Sequence, residues 1–220
     1  MGALARDSSE GSTSQGQTLL NGVNAQRLGK PEGADSKVVR ADQMETSRLR
    51  PLEVKDRLMP GHWEGDLIKG AGNKSFVGVL VERSRRLVML ARMADATAAA
   101  ALADFTAKLN SIAAPMRQSL TNDQGREMVR HAELARASNI RVYFCDPHSP
   151  WQRGSCENTN GLLRQYLPKG ADLSVCTHNE LDAIADSINH RPRATHDWRT
   201  PLQVFALTLA NSHKTPNSVQ

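Results

Sequence analysis

Aromatic residues are scarce in this chain: nine among 220, and none before Trp63. Residues 1–50 are rich in Gly, Ser, Gln, Asn and Asp, with scattered apolar positions that follow no period. Such a stretch cannot bury enough surface to offset its ordering entropy, so it is expected to be disordered or poorly structured. Cysteine is scarce too. Cys145, Cys156 and Cys176 form no CxxC pair, which argues against a disulfide framework or a zinc ribbon. Cys145 with His148 and Cys176 with His178 would supply four zinc ligands, but the single residue between the last two is too tight for a structural site. No run of about 18 apolar residues occurs, and the N-terminus lacks the pattern of a signal peptide. The expectation is a soluble cytoplasmic protein with no membrane partner. Also missing are GxSxG, the P-loop and GxGxxG, and with them the serine-hydrolase, nucleotide-triphosphate and dinucleotide readings they would support.

What is present is a basic balance, 28 Lys and Arg against 23 Asp and Glu, for a net charge of +5 and a pI near 9.4. That suits a polyanion partner. Residues 1–50 hold seven basic and six acidic residues, so the excess lies in the remainder and the N-terminal stretch is no basic arm.

From His62 the texture changes. The segments 62–69, 76–82 and 86–93 are short, apolar and β-branched, and read as three strands, the last two joined through Arg83-Ser84-Arg85 as a hairpin. Residues 96–112 place Leu102, Phe105, Leu109 and Ile112 at helical spacing behind Asp95 or Thr97 as cap. Further strands are expected at 117–122 and 140–145, and helices at 127–138, 154–167 and 178–190. The last opens on the capping box Thr177-x-x-Glu180 and stops before Pro192. Three sequential strands followed by strands alternating with helices predict an α/β fold: a mixed five-stranded sheet flanked by helices, parallel in its second half.

Three carboxylates stand out. Asp66 lies within the first strand, in a run otherwise able to be buried, where an ionised group needs a cation or hydrogen-bond donors. Loop amides at a strand end would serve equally. Asp123 follows the fourth strand and precedes Gly125, at the kind of strand end where open α/β sheets bind ligands; a turn-forming Asp is the ordinary alternative. Advancing about 100° per residue, Glu157 shares a helical face with Asn160, Gly161 and Arg164, with Leu162, Leu163 and Tyr166 opposite. A solvated face explains one Glu; an amide, an Arg and a Gly beside it suit a nearby phosphate backbone. Together the three acids are hard oxygen ligands that could converge on one or two Mg²⁺ ions for in-line displacement at phosphorus. A glycosidase would also use paired carboxylates, but the aromatic sugar platform is missing.

The segments RLMPGHWEGDLIKGAGNKS, TNDQGREM, VYFCDPHSPWQRGSCENTNGLLRQYLPKG and RTPLQVF resemble the catalytic region of bacterial insertion-sequence-30-type transposases, within the Asp-Asp-Glu transposase and retroviral integrase superfamily. Asp123 and Glu157 are separated by 33 residues, the spacing that pattern expects. The resemblance implies an RNase H-like catalytic core over 51–207, with 1–50 as a poorly structured N-terminal segment and 208–220 as a flexible tail. It implies Mg²⁺, with Mn²⁺ as substitute and two ions, held by Asp66, Asp123 and Glu157 while element ends are cut and joined to target DNA. Arg153, Asn160, Arg164 and Lys169 become candidate DNA contacts. It further implies a homo-oligomer when active and a location at the bacterial nucleoid when DNA-bound. The helix-turn-helix segments that precede such cores have no counterpart in residues 1–50, and Asn122 and Cys156 depart from the family's usual residues. The alternative is therefore a truncated, catalytically idle fragment that binds DNA or full-length transposase.

Overall fold

The computed structural model describes residues 45, 46, 48, 50, 57, 59–95 and 97–212. Five strands, β1 (His62–Lys69), β2 (Phe76–Glu82), β3 (Val88–Met93), β4 (Ser119–Asn122) and β5 (Arg141–Phe144), form one sheet in the order β3-β2-β1-β4-β5. β1, β2 and β3 are antiparallel neighbours, whereas β4 and β5 run parallel to β1, which is the mixed sheet expected. Among the described residues five helices accompany it: α1 (Ala98–Asn110), α2 (His131–Ser138), α3 (Gly154–Leu163), α4 (His178–Asn189) and α5 (Pro201–Ser212). None among the described residues is long and apolar enough to cross a membrane.

The period of two along each strand divides the interior into two cores. Trp63, Phe76, Leu80, Ala91 and Phe144 point to one face, where they meet Phe105 and Leu109 of α1, Leu134 of α2 and Phe205 of α5. Ile68, Val77, Val79, Val81 and Leu90 point to the other, against Cys156 and Leu163 of α3 and Leu181, Ala185 and Ile188 of α4. The indole of Trp63 satisfies its N–H on the Met116 carbonyl at 2.9 Å, so the ring can be fully buried. The capping box of α4 forms as expected: Thr177 accepts from the Glu180 amide, and Glu180 accepts from the Thr177 amide.

Differences from expectation fall at element ends. β4 begins at Ser119 because Ala114–Met116 make a 3₁₀ turn, and α2 begins at His131 because another, Arg126–Met128, follows Gly125. α3 ends at Leu163, after which the Leu167 amide closes a turn on the Leu163 carbonyl at 2.8 Å. The flexible tail expected from 208 does not begin there, because α5 continues to Ser212. Nor does the unstructured segment extend to residue 50. Glu45 accepts the Phe144 amide at 2.8 Å, Thr46 bridges Phe144, and the buried Arg50 donates to Thr121 at 3.1 Å. Unpaired amides on the edge strand β5 supply a partner that local composition does not reveal. Residues 1–44 and 213–220, with the expectations attached to them, lie outside the described residues.

Candidate active site

β1 and β4 pair from His62–Ser119 to Glu64–Thr121, and β4 stops at Asn122. Asp66 therefore sits where β1 has just lost its parallel neighbour, and Asp123 where that neighbour turns away. Both carboxylates reach the same end of the parallel strands. The side chain of Asn122 folds across β1 at Gly65, where a Cβ would come within 2.1 Å of its Oδ1. Gly65 is what lets this polar side chain lie flat against the strand.

A single guanidinium joins the two aspartates. Arg153 Nη1 is 2.9 Å from Asp66 Oδ1, its Nη2 is 3.3 Å from Asp123 Oδ2, and Nη1 also donates to the Gly65 carbonyl at 3.2 Å. Burial works against the charge on Arg153, but the two carboxylates outweigh it and raise its pKa. The second oxygen of Asp66 accepts from Asn160 Nδ2 at 2.7 Å. The Asp123 side chain stays 48% exposed, so the cluster opens to solvent on that side.

α3 supplies the remaining groups. It buries Ser155, Cys156, Thr159 and Leu163, with Leu162 and Tyr166 only partly covered. The apolar side expected as Leu162, Leu163 and Tyr166 is thus rotated, because small Cys and Thr side chains let the helix approach the sheet. Arg153 and Asn160, four residues before Glu157 and three after it, both touch Asp66, which puts Glu157 on the stripe facing that strand. Its own carboxylate is exposed and, among the described residues, makes no hydrogen bond or ion pair. Among the described residues, no three His, Cys, Asp or Glu side chains stand close enough to hold one ion. What the fold brings together is Asp66, Asp123, Arg153 and Asn160. Two hard-oxygen donors already converging on one positive group fit a cation at that position.

Of the other candidate DNA contacts, Arg164 donates to the Leu167 carbonyl at 3.2 Å and closes the turn after α3, while Lys169 is exposed. Neither bonds to the aspartates.

Two acids escaped the sequence reading. Glu64, two residues before Asp66 on the same face, is fully buried; its Oε2 accepts the Cys156 amide at 2.8 Å and its Oε1 lies 3.5 Å from Arg83 Nε. α3 has no side-chain cap of its own, so Glu64 caps it from the sheet. Burial pushes the Glu64 carboxyl up, opposed by the Cys156 amide and the charges of Arg57 and Arg86. Glu127 folds back over Gly125, and burial followed by the charge of Asp123 raises its pKa; Asp66 adds to the rise. The only local signal for Glu64 was a charged residue inside an otherwise buriable strand.

Residues 56–150 match the integrase core domain family model. Over 192 residues the chain is 66% identical to the transposase for insertion sequence element IS1086 of Cupriavidus metallidurans, covering 87% of this chain and 56% of that protein. Over 161 residues it is 43% identical to the Escherichia coli transposase InsI for element IS30A, covering 73% of this chain and 42% of that one. The chain belongs to the insertion-sequence-30 transposase family. Among solved structures, the catalytic core domain of BIV integrase superposes with a TM-score of 0.53 at 18% identity, over 70% of this chain and 99% of that one. This part of the chain therefore has the RNase H-like fold. It spans about half the length of the curated relatives it matches, and the family model ends before Arg153 and Glu157.

Proposed function

We propose that residues 51–207 form a transposase catalytic core that cleaves DNA at the ends of an insertion sequence and transfers the freed strands to target DNA. The observation that carries this reading is the meeting of Asp66 and Asp123 around one cationic group, at the end of the parallel strands and beside the α3 stripe that bears Glu157. In this reading Asp66, Asp123 and Glu157 hold one or two Mg²⁺ ions, for which Mn²⁺ can substitute. The metal supplies Lewis-acid stabilisation of the attacking and leaving oxygens during in-line displacement at phosphorus. β1 and β4 fix the two aspartates, Asn160 orients Asp66 through its second oxygen, and Glu64 sets the start of the helix that presents Glu157. Arg153, Asn160, Arg164 and Lys169 line the approach of a phosphate backbone, the substrate being DNA and the working unit a homo-oligomer that pairs two ends. The setting is the bacterial cytoplasm, at the nucleoid when DNA is bound.

Glu157→Gln tests the assignment. It preserves size and helix propensity, and Glu157 is exposed, so the unfolding free energy should move by no more than about 0.5 kcal/mol. Mg²⁺-dependent nicking and joining of a DNA substrate should fall roughly 10²- to 10³-fold, about 3–4 kcal/mol of barrier. Equal activity in variant and parent sinks the role of Glu157. A parent that binds DNA but neither nicks nor joins it supports the idle-fragment reading.

A further inference from the structure

Arg153 lies between the two aspartates and contacts both. Its guanidinium fork spans Asp66 at 2.9 Å and Asp123 at 3.3 Å, with Gly65 O as a third acceptor at 3.2 Å. The side chain is 12% exposed, and its Nε is buried without a hydrogen-bond partner among the described residues. The terminal nitrogens are thus satisfied on the aspartates while the inner one is left unmet. A group held chiefly by two carboxylates and carrying an unmet buried donor is well held only while those carboxylates are free to accept. The residue also sits at a junction, where the 3₁₀ turn Pro150–Arg153 passes into α3. It borders a cleft of about 370 Å³ whose lining includes Asp123, Asp146 and Ser149, so the guanidinium has room to leave without unpacking the core.

We propose that Arg153 is a built-in counter-cation: it keeps Asp66 and Asp123 in register in the metal-free protein and must be displaced when a divalent ion enters. The proposal rests on Asp66 and Asp123 being metal ligands. As a positioning residue, Arg153 does two opposed things. It suppresses the mutual repulsion of two neighbouring carboxylates, which favours the folded site without metal, and it competes with the ion, which weakens metal binding. Reciprocity follows, because whatever lowers metal affinity through Arg153 must also make metal binding release Arg153. The freed guanidinium then stays within reach of an anionic substrate at the same end of the sheet.

The test uses Mn²⁺ alone, titrated into the full chain by calorimetry and by the loss of the free-ion paramagnetic resonance signal. Parent, Arg153→Gln, Arg153→Lys and Asp66→Asn are compared, with thermal unfolding recorded in chelator and in saturating Mn²⁺. Arg153→Gln should bind Mn²⁺ roughly tenfold more tightly than the parent, the size expected when one charge-assisted contact no longer has to be broken first. It should also unfold at a lower temperature than the parent in chelator and recover with Mn²⁺. Arg153→Lys keeps the charge but loses the two-pronged fit, so it should fall between the two and serves if the Gln variant folds poorly. Unchanged or weaker Mn²⁺ binding by both Arg153 variants, with Asp66→Asn abolishing it in the parent, overturns the counter-cation role and leaves the ligand assignment standing. Mn²⁺ binding that survives Asp66→Asn, or that no variant shows, overturns the ligand assignment and the proposal with it.

Discussion

Glu64 and Asp66 leave the same face of β1 two residues apart, and each meets a guanidinium, yet the two ion pairs are built differently. Glu64 and Arg83 are buried, at 0% and 5% side-chain exposure, 3.5 Å apart, with Oε1, Nε and Nη1 lacking hydrogen-bond partners among the described residues. Asp66 and Arg153 are 2.9 Å apart at 22% and 12% exposure and share the site with Asp123, which lines a cleft together with Arg153. The first pair is sealed and ties β1 to the start of α3. The second is accessible, so its carboxylates can exchange one cation for another. The same residue types on one strand become scaffold or site according to whether water and ions can reach them.

The contrast would be broken most forcefully at Glu64. Glu64→Ala leaves Arg83 charged and unpaired in the interior and the Cys156 amide without its acceptor, so urea denaturation should show a loss of about 3–5 kcal/mol. Glu64→Gln keeps an acceptor oxygen and should lose less. A cost below about 1 kcal/mol for the alanine change would mean the sealed pair is no more structural than the open one.

His62, two residues before Glu64 on the same face, sharpens the contrast through pH. Burial, followed by the charge of Arg50, lowers its pKa from 6.5 to about 4, and its Nδ1 lies 2.7 Å from Ser119 Oγ. The fold thus favours the neutral ring. The stability this lends is complete above pH 6.5 and is lost as the pH falls towards and through 4. Replacing His62 by Gln should therefore flatten the decline in stability between those values, removing on the order of 2 kcal/mol of pH dependence. An unchanged slope would assign the acid sensitivity to other groups.

Among these three β1 side chains the smallest effect is expected at Asp66. With a partly exposed ion pair and one amide hydrogen bond at stake, Asp66→Asn in chelator should shift the unfolding free energy by about 1 kcal/mol or less. A shift above about 3 kcal/mol would place Asp66 with Glu64 among the scaffold residues.

The short apolar runs at 62–69 and 76–82, the helical spacing of Leu102, Phe105 and Leu109, and the capping box at Thr177 made the sheet and most helices legible, because these are local patterns with local causes. The element ends were less legible, since the 3₁₀ turns before β4 and α2 carry no hydrophobic period. Asp66 and Asp123 could be picked out as a charge in a strand and an acid at a strand end. Their partners could not. That Arg153 would bridge them, that Asn160 would orient Asp66, and that Glu64 would cap α3 across a separation of 92 residues depend on strand order and on how α3 is rotated against the sheet. Composition likewise set residues 1–50 apart, but the pairing of Glu45 and Thr46 with Phe144 came from an open sheet edge nearly 100 positions away. By itself the sequence determined which residues could form strands and helices, and which acids stood in costly places. Only the tertiary structure decided which of those acids are sealed against water and which share a cation, because burial and charge pairing are set by distances between segments that no local pattern encodes.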